Sequence, residues 1–123
     1  MEPLIIESSV ETPKIAFDPA NDVFEISGQS LPEDALHFYL PVINWLEKYR
    51  QSPNPETEFN FRLEYFNTAS SRMLYKVMTI LKDITADHQV NLKWHYNKED
   101  PDMLASGKRF ARLLPADFEF IEC

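Results

Sequence analysis

Thr57-Glu58-Phe59-Asn60-Phe61-Arg62-Leu63-Glu64-Tyr65-Phe66-Asn67-Thr68-Ala69-Ser70-Ser71, continued by an apolar-periodic run to His88, decides how this chain folds. Its first part alternates. Phe59, Phe61, Leu63 and Tyr65 fall on one side of a strand, and Glu58, Asn60, Arg62 and Glu64 on the other. Its last part repeats at helical spacing, with Leu74, Val77, Met78, Leu81 and Ile84 on one face. Between them lie Asn67, Thr68, Ser70 and Ser71, an amide and three hydroxyls. The pattern predicts a strand running almost directly into a helix with a polar N-terminus.

That junction fits two roles. Asn, Thr and Ser are favoured N-caps, because their oxygens accept the orphan N–H groups of a first helical turn. A helix N-terminus also offers free N–H groups and a positive dipole end, so a hydroxyl there is well placed to carry a phosphoryl group. Capping is the commoner role, and the pattern alone accommodates both.

On the N-terminal side, Leu4-Ile5-Ile6 reads as an edge strand or an ordered tail. Lys14–Asp18 and Val23–Gly28 alternate around the turn Pro19-Ala20-Asn21-Asp22, which reads as a hairpin with Ile15, Phe17, Phe24 and Ile26 inward. A helix is expected to start within Ser30-Leu31-Pro32-Glu33-Asp34 and to run to about Arg50. Its expected buried stripe is Leu36, Tyr39, Leu40, Ile43 and Leu46, with Trp45 and Tyr49 at its margin. Pro41 is expected to kink or break it. On the C-terminal side, Val90–Asn97 alternates, with Val90, Leu92, Trp94 and Tyr96 inward. Asp100 and Pro101 open a last helix as N-cap and first residue; Met103, Leu104, Phe110, Ala111 and Leu114 are its core positions, and Pro115 ends it. Phe118–Ile121 is a short final strand.

The segment from Phe59 to Tyr96 is long enough for a right-handed crossover between parallel strands. The strands alternate rather than run continuously apolar, so one sheet face is covered and the other is at least partly solvated. The expected fold is a two-layer α/β domain over residues 1–123: a mixed sheet of five or six strands with three helices mainly on one face.

Composition narrows function by exclusion. The net charge is −8, with acidic residues along the whole chain and no basic block, which argues against a nucleic-acid surface and against anionic lipid. Only Gly28 and Gly107 are glycines, so no glycine-rich phosphate loop is present. The one cysteine, Cys123, permits no internal disulfide. No signal peptide or membrane span is visible, and a cytoplasmic protein is expected. His37, His88 and His95 lack metal-ligand spacing. Glu58 and Glu64 would stand roughly 20 Å apart on one strand, too far for shared acid–base chemistry. No serine sits in a glycine-flanked elbow. Neither a cofactor nor a catalytic role is expected.

Three segments together resemble the SiaC family of bacterial regulatory phosphoproteins: Leu63-Glu64-Tyr65-Phe66-Asn67-Thr68-Ala69-Ser70-Ser71, Val90-Asn91-Leu92-Lys93-Trp94-His95-Tyr96-Asn97, and Val42-Ile43-Asn44-Trp45-Leu46-Glu47-Lys48-Tyr49. The resemblance implies a fold similar to the STAS domain, with a phosphorylatable hydroxyl at a strand-to-helix junction. It implies Thr68 as the phosphorylation site; Ser70 and Ser71 are the less favoured candidates, because any hydroxyl at a helix start can be positioned similarly. A Ser/Thr protein kinase and a PP2C-type phosphatase would modify and restore it. The unmodified form would bind and activate a diguanylate cyclase in a partner-switching pathway that raises cyclic-di-GMP and promotes biofilm. Phe66, Asn67, Ser70, Ser71, Arg72 and Tyr75 would shape the partner-binding surface. A ligand-sensing module that binds an anion or nucleotide at the same junction is the alternative.

Overall fold

The quoted stretch forms an 11-residue strand, β4 (Glu56–Phe66), and a 17-residue helix, α2 (Thr68–Ile84), separated by Asn67 alone. In the computed structural model, which describes residues 1–123, the remaining strands are β1 (Leu4–Ile6), β2 (Lys14–Asp18), β3 (Val23–Ser30), β5 (Gln89–Tyr96) and β6 (Phe118–Glu122). The other helices are α1 (Ala35–Gln51) and α3 (Pro101–Leu113), and a 3-10 turn at Pro19–Asn21 joins β2 to β3. The six strands form one sheet in simple sequence order. β1, β2 and β3 pair antiparallel, whereas β3–β4, β4–β5 and β5–β6 are parallel. Each parallel pair needs a crossover, and α1, α2 and α3 supply them. Right-handed crossovers that step the same way across a sheet put their helices on the same side, which accounts for the two-layer form.

The buried face is aromatic. Phe17 and Phe24 meet Trp45 and Tyr49 of α1 and pack against Phe59, with Trp45 and Tyr49 stacked at 5.3 Å between ring centroids. Phe61, Phe66, Trp94 and Phe110 continue the cluster under α3. The opposite face carries ion pairs, Arg62–Glu25 and Lys93–Glu58, both at 2.7 Å. The alternation expected for β3 is observed, and so are Asp100 as N-cap of α3 and Pro101 as its first residue. In β2 and β5 the expected inward residues Ile15, Phe17, Leu92 and Trp94 are buried, but Ala16 and His95 are buried as well, so burial there does not strictly alternate.

Four local expectations need correcting. First, Tyr65 does not continue the inward row of Phe59, Phe61 and Leu63; it is 57 % exposed. The β3–β4 register steps from Gly28↔Leu63 to Gln29↔Tyr65, so Glu64 is an extra, bulged residue. One extra residue inverts side-chain parity, and Phe66 turns toward Trp94 and Phe110 instead. Second, Ser30 belongs to β3, and α1 begins only after Asp34, whose side chain accepts from the His37 N–H. Third, of the two outcomes expected at Pro41 the break does not occur, and α1 is continuous from Ala35 to Gln51. Pro41 and His37 both face solvent, so water can satisfy the His37 carbonyl that lacks an N–H partner. Fourth, Leu36 and Leu40 are exposed; Ala35, Tyr39, Val42, Ile43, Trp45, Leu46 and Tyr49 are buried. Both stripes have helical spacing. The observed one buries the larger rings of Trp45 and Tyr49, which remove more apolar surface from water.

Candidate functional site

The bulge at Glu64 and the single-residue connection at Asn67 bring three elements together at the carboxyl end of β4. Asn67 is the N-cap of α2: its backbone is extended and its side-chain oxygen accepts from the Ser70 N–H at 2.8 Å. Thr68 is therefore the first helical residue and not a cap. The three hydroxyls of the junction then separate sharply. Ser70 is fully buried; its Oγ donates to the Ser30 carbonyl at 3.0 Å and accepts from Ser30 Oγ at 2.8 Å. Its place among the surface-shaping residues is thereby corrected: in α2 it faces inward with Leu74 and Val77. Ser71 is half-buried, and its Oγ donates back to the Thr68 carbonyl at 2.6 Å. Thr68 is exposed, and its hydroxyl has no hydrogen-bond partner in the chain.

The surroundings of Thr68 suit an anion. Asn67 donates its N–H to Ser30 O, Ser70 donates to Asn67 Oδ1, and Ser71 donates to the Asn67 carbonyl. The N–H groups of Thr68 and Ala69 are left without an acceptor in the chain, at the positive end of a 17-residue helix. Arg72 lies four residues on, one turn along the same face, and no carboxylate reaches it within ion-pair distance.

Thr68, Ser71, Arg72 and Tyr75 follow the i, i+3, i+4, i+7 spacing of one helical face. The last three form one wall of a groove of about 420 Å³; Arg109 and Leu113 of α3 form the other, and Phe66 and Phe110 lie at its base. Of the residues expected to shape a partner surface, Phe66, Ser71, Arg72 and Tyr75 thus meet in one groove. Asn67 sits at the junction beyond it, and Ser70 lies beneath. A larger depression of about 610 Å³ sits at the carboxyl ends of β4 and β5, near Arg62 and His95. Its two basic groups are engaged: Arg62 pairs with Glu25, and His95 Nε2 donates to Asn60 Oδ1 at 2.8 Å.

The α3 wall escaped sequence reasoning. Its signal was present, because residues 65–82 and 103–116 contain no Asp or Glu in a chain that has 20. Only the fold shows that these two stretches adjoin. No group of His, Cys, Asp and Glu forms a metal-binding cluster, and no helix is long and apolar enough to cross a membrane.

A protein of Pseudomonas aeruginosa (strain UCBPP-PA14), described as uncharacterized, is 26% identical over 111 residues, covering 89% of this chain and 88% of that protein. The crystal structure of apo-SiaC from Pseudomonas aeruginosa is similar with a TM-score of 0.87 at 25% identity, covering 99% of this chain and 98% of that one. A chain in the crystal structure of the diguanylate cyclase SiaD in complex with its activator SiaC, also from Pseudomonas aeruginosa, shares the fold with a TM-score of 0.88 at 24% identity, covering 98% of this chain and 99% of that one. The model of the SiaC family of regulatory phosphoproteins matches residues 6–123, and the chain belongs to that family, whose role is regulatory and not catalytic.

Proposed function

We propose that this protein is a partner-switching regulator in which reversible phosphorylation of Thr68 controls binding and activation of a diguanylate cyclase. A Ser/Thr kinase adds the phosphate and a PP2C-type phosphatase removes it. The observation that carries the reading is the state of the three junction hydroxyls. Thr68 is exposed and unbonded, Ser70 is fully buried in a hydrogen-bond chain, and Ser71 is engaged with the Thr68 carbonyl. The activator role follows the solved relative, SiaC, which activates SiaD in Pseudomonas aeruginosa.

The switch needs no refolding. A phosphate brings about −1.5 to −2 charges and three acceptor oxygens. The open N–H groups of Thr68 and Ala69 and the Arg72 guanidinium are placed to receive them. The fold keeps its core, and the charge of the face that a partner meets changes. A partner with a carboxylate or an apolar group against that face is expelled by repulsion and by the cost of desolvating the phosphate.

Phosphate-affinity gels of protein taken from cells test this directly. A shifted band is expected for wild type and for Ser71→Ala, and none for Thr68→Ala. The Thr68→Ala protein is expected to bind the cyclase of the same genome as tightly as the unmodified chain, and the enzymatically phosphorylated chain at least about tenfold more weakly. A shifted band that survives Thr68→Ala would overturn the site, and equal binding by phosphorylated and unmodified chains would overturn the switch.

A further inference from the structure

Residues 65–82 and 103–116 hold Arg72, Lys76, Lys82, Lys108, Arg109 and Arg112, half of the Lys and Arg of the chain. They hold none of its acidic residues, although the chain as a whole carries a net charge of −8. The fold sets the two stretches side by side, as the walls of the α2–α3 groove. The four ion pairs of the structure use Arg50, Arg62 and Lys93, so neither Arg72 nor Arg109 is neutralised by a neighbour. Glu33 and Asp34 share a separate depression with Arg72 but lie beyond ion-pair distance of it. An acidic protein has therefore set two unpaired arginines, Arg72 and Arg109, on the facing walls of one apolar trough. Tyr75 and Leu113 stand exposed on opposite walls of it, Leu113 at 61 %.

We infer that the α2–α3 groove is the seat of an acidic amphipathic segment of the activated cyclase. One apolar side of that segment enters the trough over Phe66 and Phe110, and its carboxylates engage Arg72 and Arg109. The apolar floor selects a protein segment over a nucleic-acid backbone, which would meet cations but bury no hydrocarbon. The groove also supplies the link to the switch. Thr68 heads the same helical face as Arg72, so a phosphate on Thr68 draws on the guanidinium that the acidic segment needs and repels that segment's own carboxylates. This inference rests on the partner-switching reading above and adds to it the seat and the chemistry of the partner.

The test is a binding titration between the full-length, unmodified protein and the diguanylate cyclase of the same genome. The variants are Arg109→Glu, Leu113→Asp and Lys48→Glu. Lys48 is an exposed cation in the last turn of α1. That turn lies at the other end of the sheet from Thr68, because the neighbouring Tyr49 bonds Thr57 at the start of β4. Arg109→Glu and Leu113→Asp are each expected to weaken binding at least about tenfold, and Lys48→Glu to leave it unchanged. Wild-type affinity is expected to fall between about 50 and about 300 mM salt, and less steeply for Arg109→Glu. Arg109→Gln gives the same readout should a glutamate there unfold α3, which circular dichroism reports. Wild-type binding that both groove variants retain in full overturns the groove while leaving the partner-switching reading intact. A wild-type chain that binds no cyclase overturns both. Binding of a DNA duplex by wild type that Arg109→Glu abolishes would reassign the cations to nucleic acid and overturn the inference.

Discussion

Ser70 Oγ donates to the backbone carbonyl of Ser30 at 3.0 Å, across 40 residues of sequence. The bond ends a chain of three donors. Ser30 Oγ donates to Ser70 Oγ at 2.8 Å, so the contact between Ser30 and Tyr39 at 2.7 Å has the Tyr39 hydroxyl as donor. The same Ser30 carbonyl also accepts the Asn67 N–H at 3.1 Å. The end of β3 is thus the anchor for the turn that presents Thr68. Ser70→Ala leaves the buried Ser30 hydroxyl without its acceptor and is expected to cost about 1–3 kcal/mol. Tyr39→Phe removes only the first donor and is expected to cost about 0.5–1.5 kcal/mol. Urea denaturation of the two variants checks the order; equal or reversed costs would mean the chain does not run in this direction.

The same chain carries an alkaline signature. Burial pushes the Tyr39 hydroxyl up to about 12. The folded state therefore holds this proton more tightly than the unfolded state. Its contribution to stability is complete below about 10, the ordinary tyrosine value, and is lost as pH rises from there through about 12. Thermal melts between those limits are expected to fall more steeply for wild type than for Tyr39→Phe. Parallel slopes would remove Tyr39 from the alkaline transition.

Separating Thr68 from its own helix cap is the next expectation. Asn67, not Thr68, satisfies the Ser70 N–H. Thr68→Ala deletes an exposed, unbonded hydroxyl and is expected to change stability by no more than about 0.5 kcal/mol. Asn67→Ala is expected to cost about 1 kcal/mol. A Thr68→Ala chain as unstable as Asn67→Ala would return Thr68 to the capping role.

Much of this was legible in the residues. Phe59, Phe61 and Leu63, and later Leu74, Val77 and Met78, announce strand and helix because burial on one face imposes a period that composition cannot hide. What was illegible has physical causes. The Glu64 bulge is set by pairing with β3, and no residue in β4 alone marks it, so Tyr65 and Phe66 exchange faces unannounced. In α1, two overlapping apolar stripes compete, and packing against Phe17 and Phe24 chooses between them. A serine hydroxyl reads the same whether it is buried or free; only the proximity of Ser30 distinguishes Ser70 from its neighbours. The α2–α3 groove is a juxtaposition of two crossover helices, invisible until the strand order is known.

Gly107 shows how tightly that juxtaposition is set. A Cβ on Gly107 would lie 2.5 Å from Trp94 Cδ1. The indole cannot retreat, because it is fully buried and its Nε1 donates to the Met103 carbonyl of the same helix at 2.9 Å. Gly107→Ala gains helix propensity of up to about 1 kcal/mol. Forcing α3 off the sheet is expected to outweigh that gain, for a net loss of about 1–3 kcal/mol. Chemical denaturation with tryptophan fluorescence reports both the stability and the Trp94 environment. A Gly107→Ala protein of wild-type stability with unchanged emission would show that α3 has slack, and the α3 wall of the groove could not then be treated as fixed.

On the open face of the sheet, His95 supplies the acid-side counterpart. Burial, and then the nearby Arg62, hold its imidazole below the ordinary value of 6.5. Its Nε2 donates to Asn60 Oδ1, which is satisfied by the neutral ring. The unfolded chain therefore takes up this proton at a higher pH than the folded one. The stability it contributes is complete above about 6.5 and declines as pH falls from there through the lowered folded value. His95→Gln, which keeps a donor toward Asn60, is expected to flatten the dependence of melting temperature on pH just below neutrality, before the carboxylates titrate. An NMR titration places the His95 midpoint independently, and a midpoint at or above the ordinary value would mean that Glu25 and Glu58, which favour the charged ring, outweigh burial and Arg62 on this face.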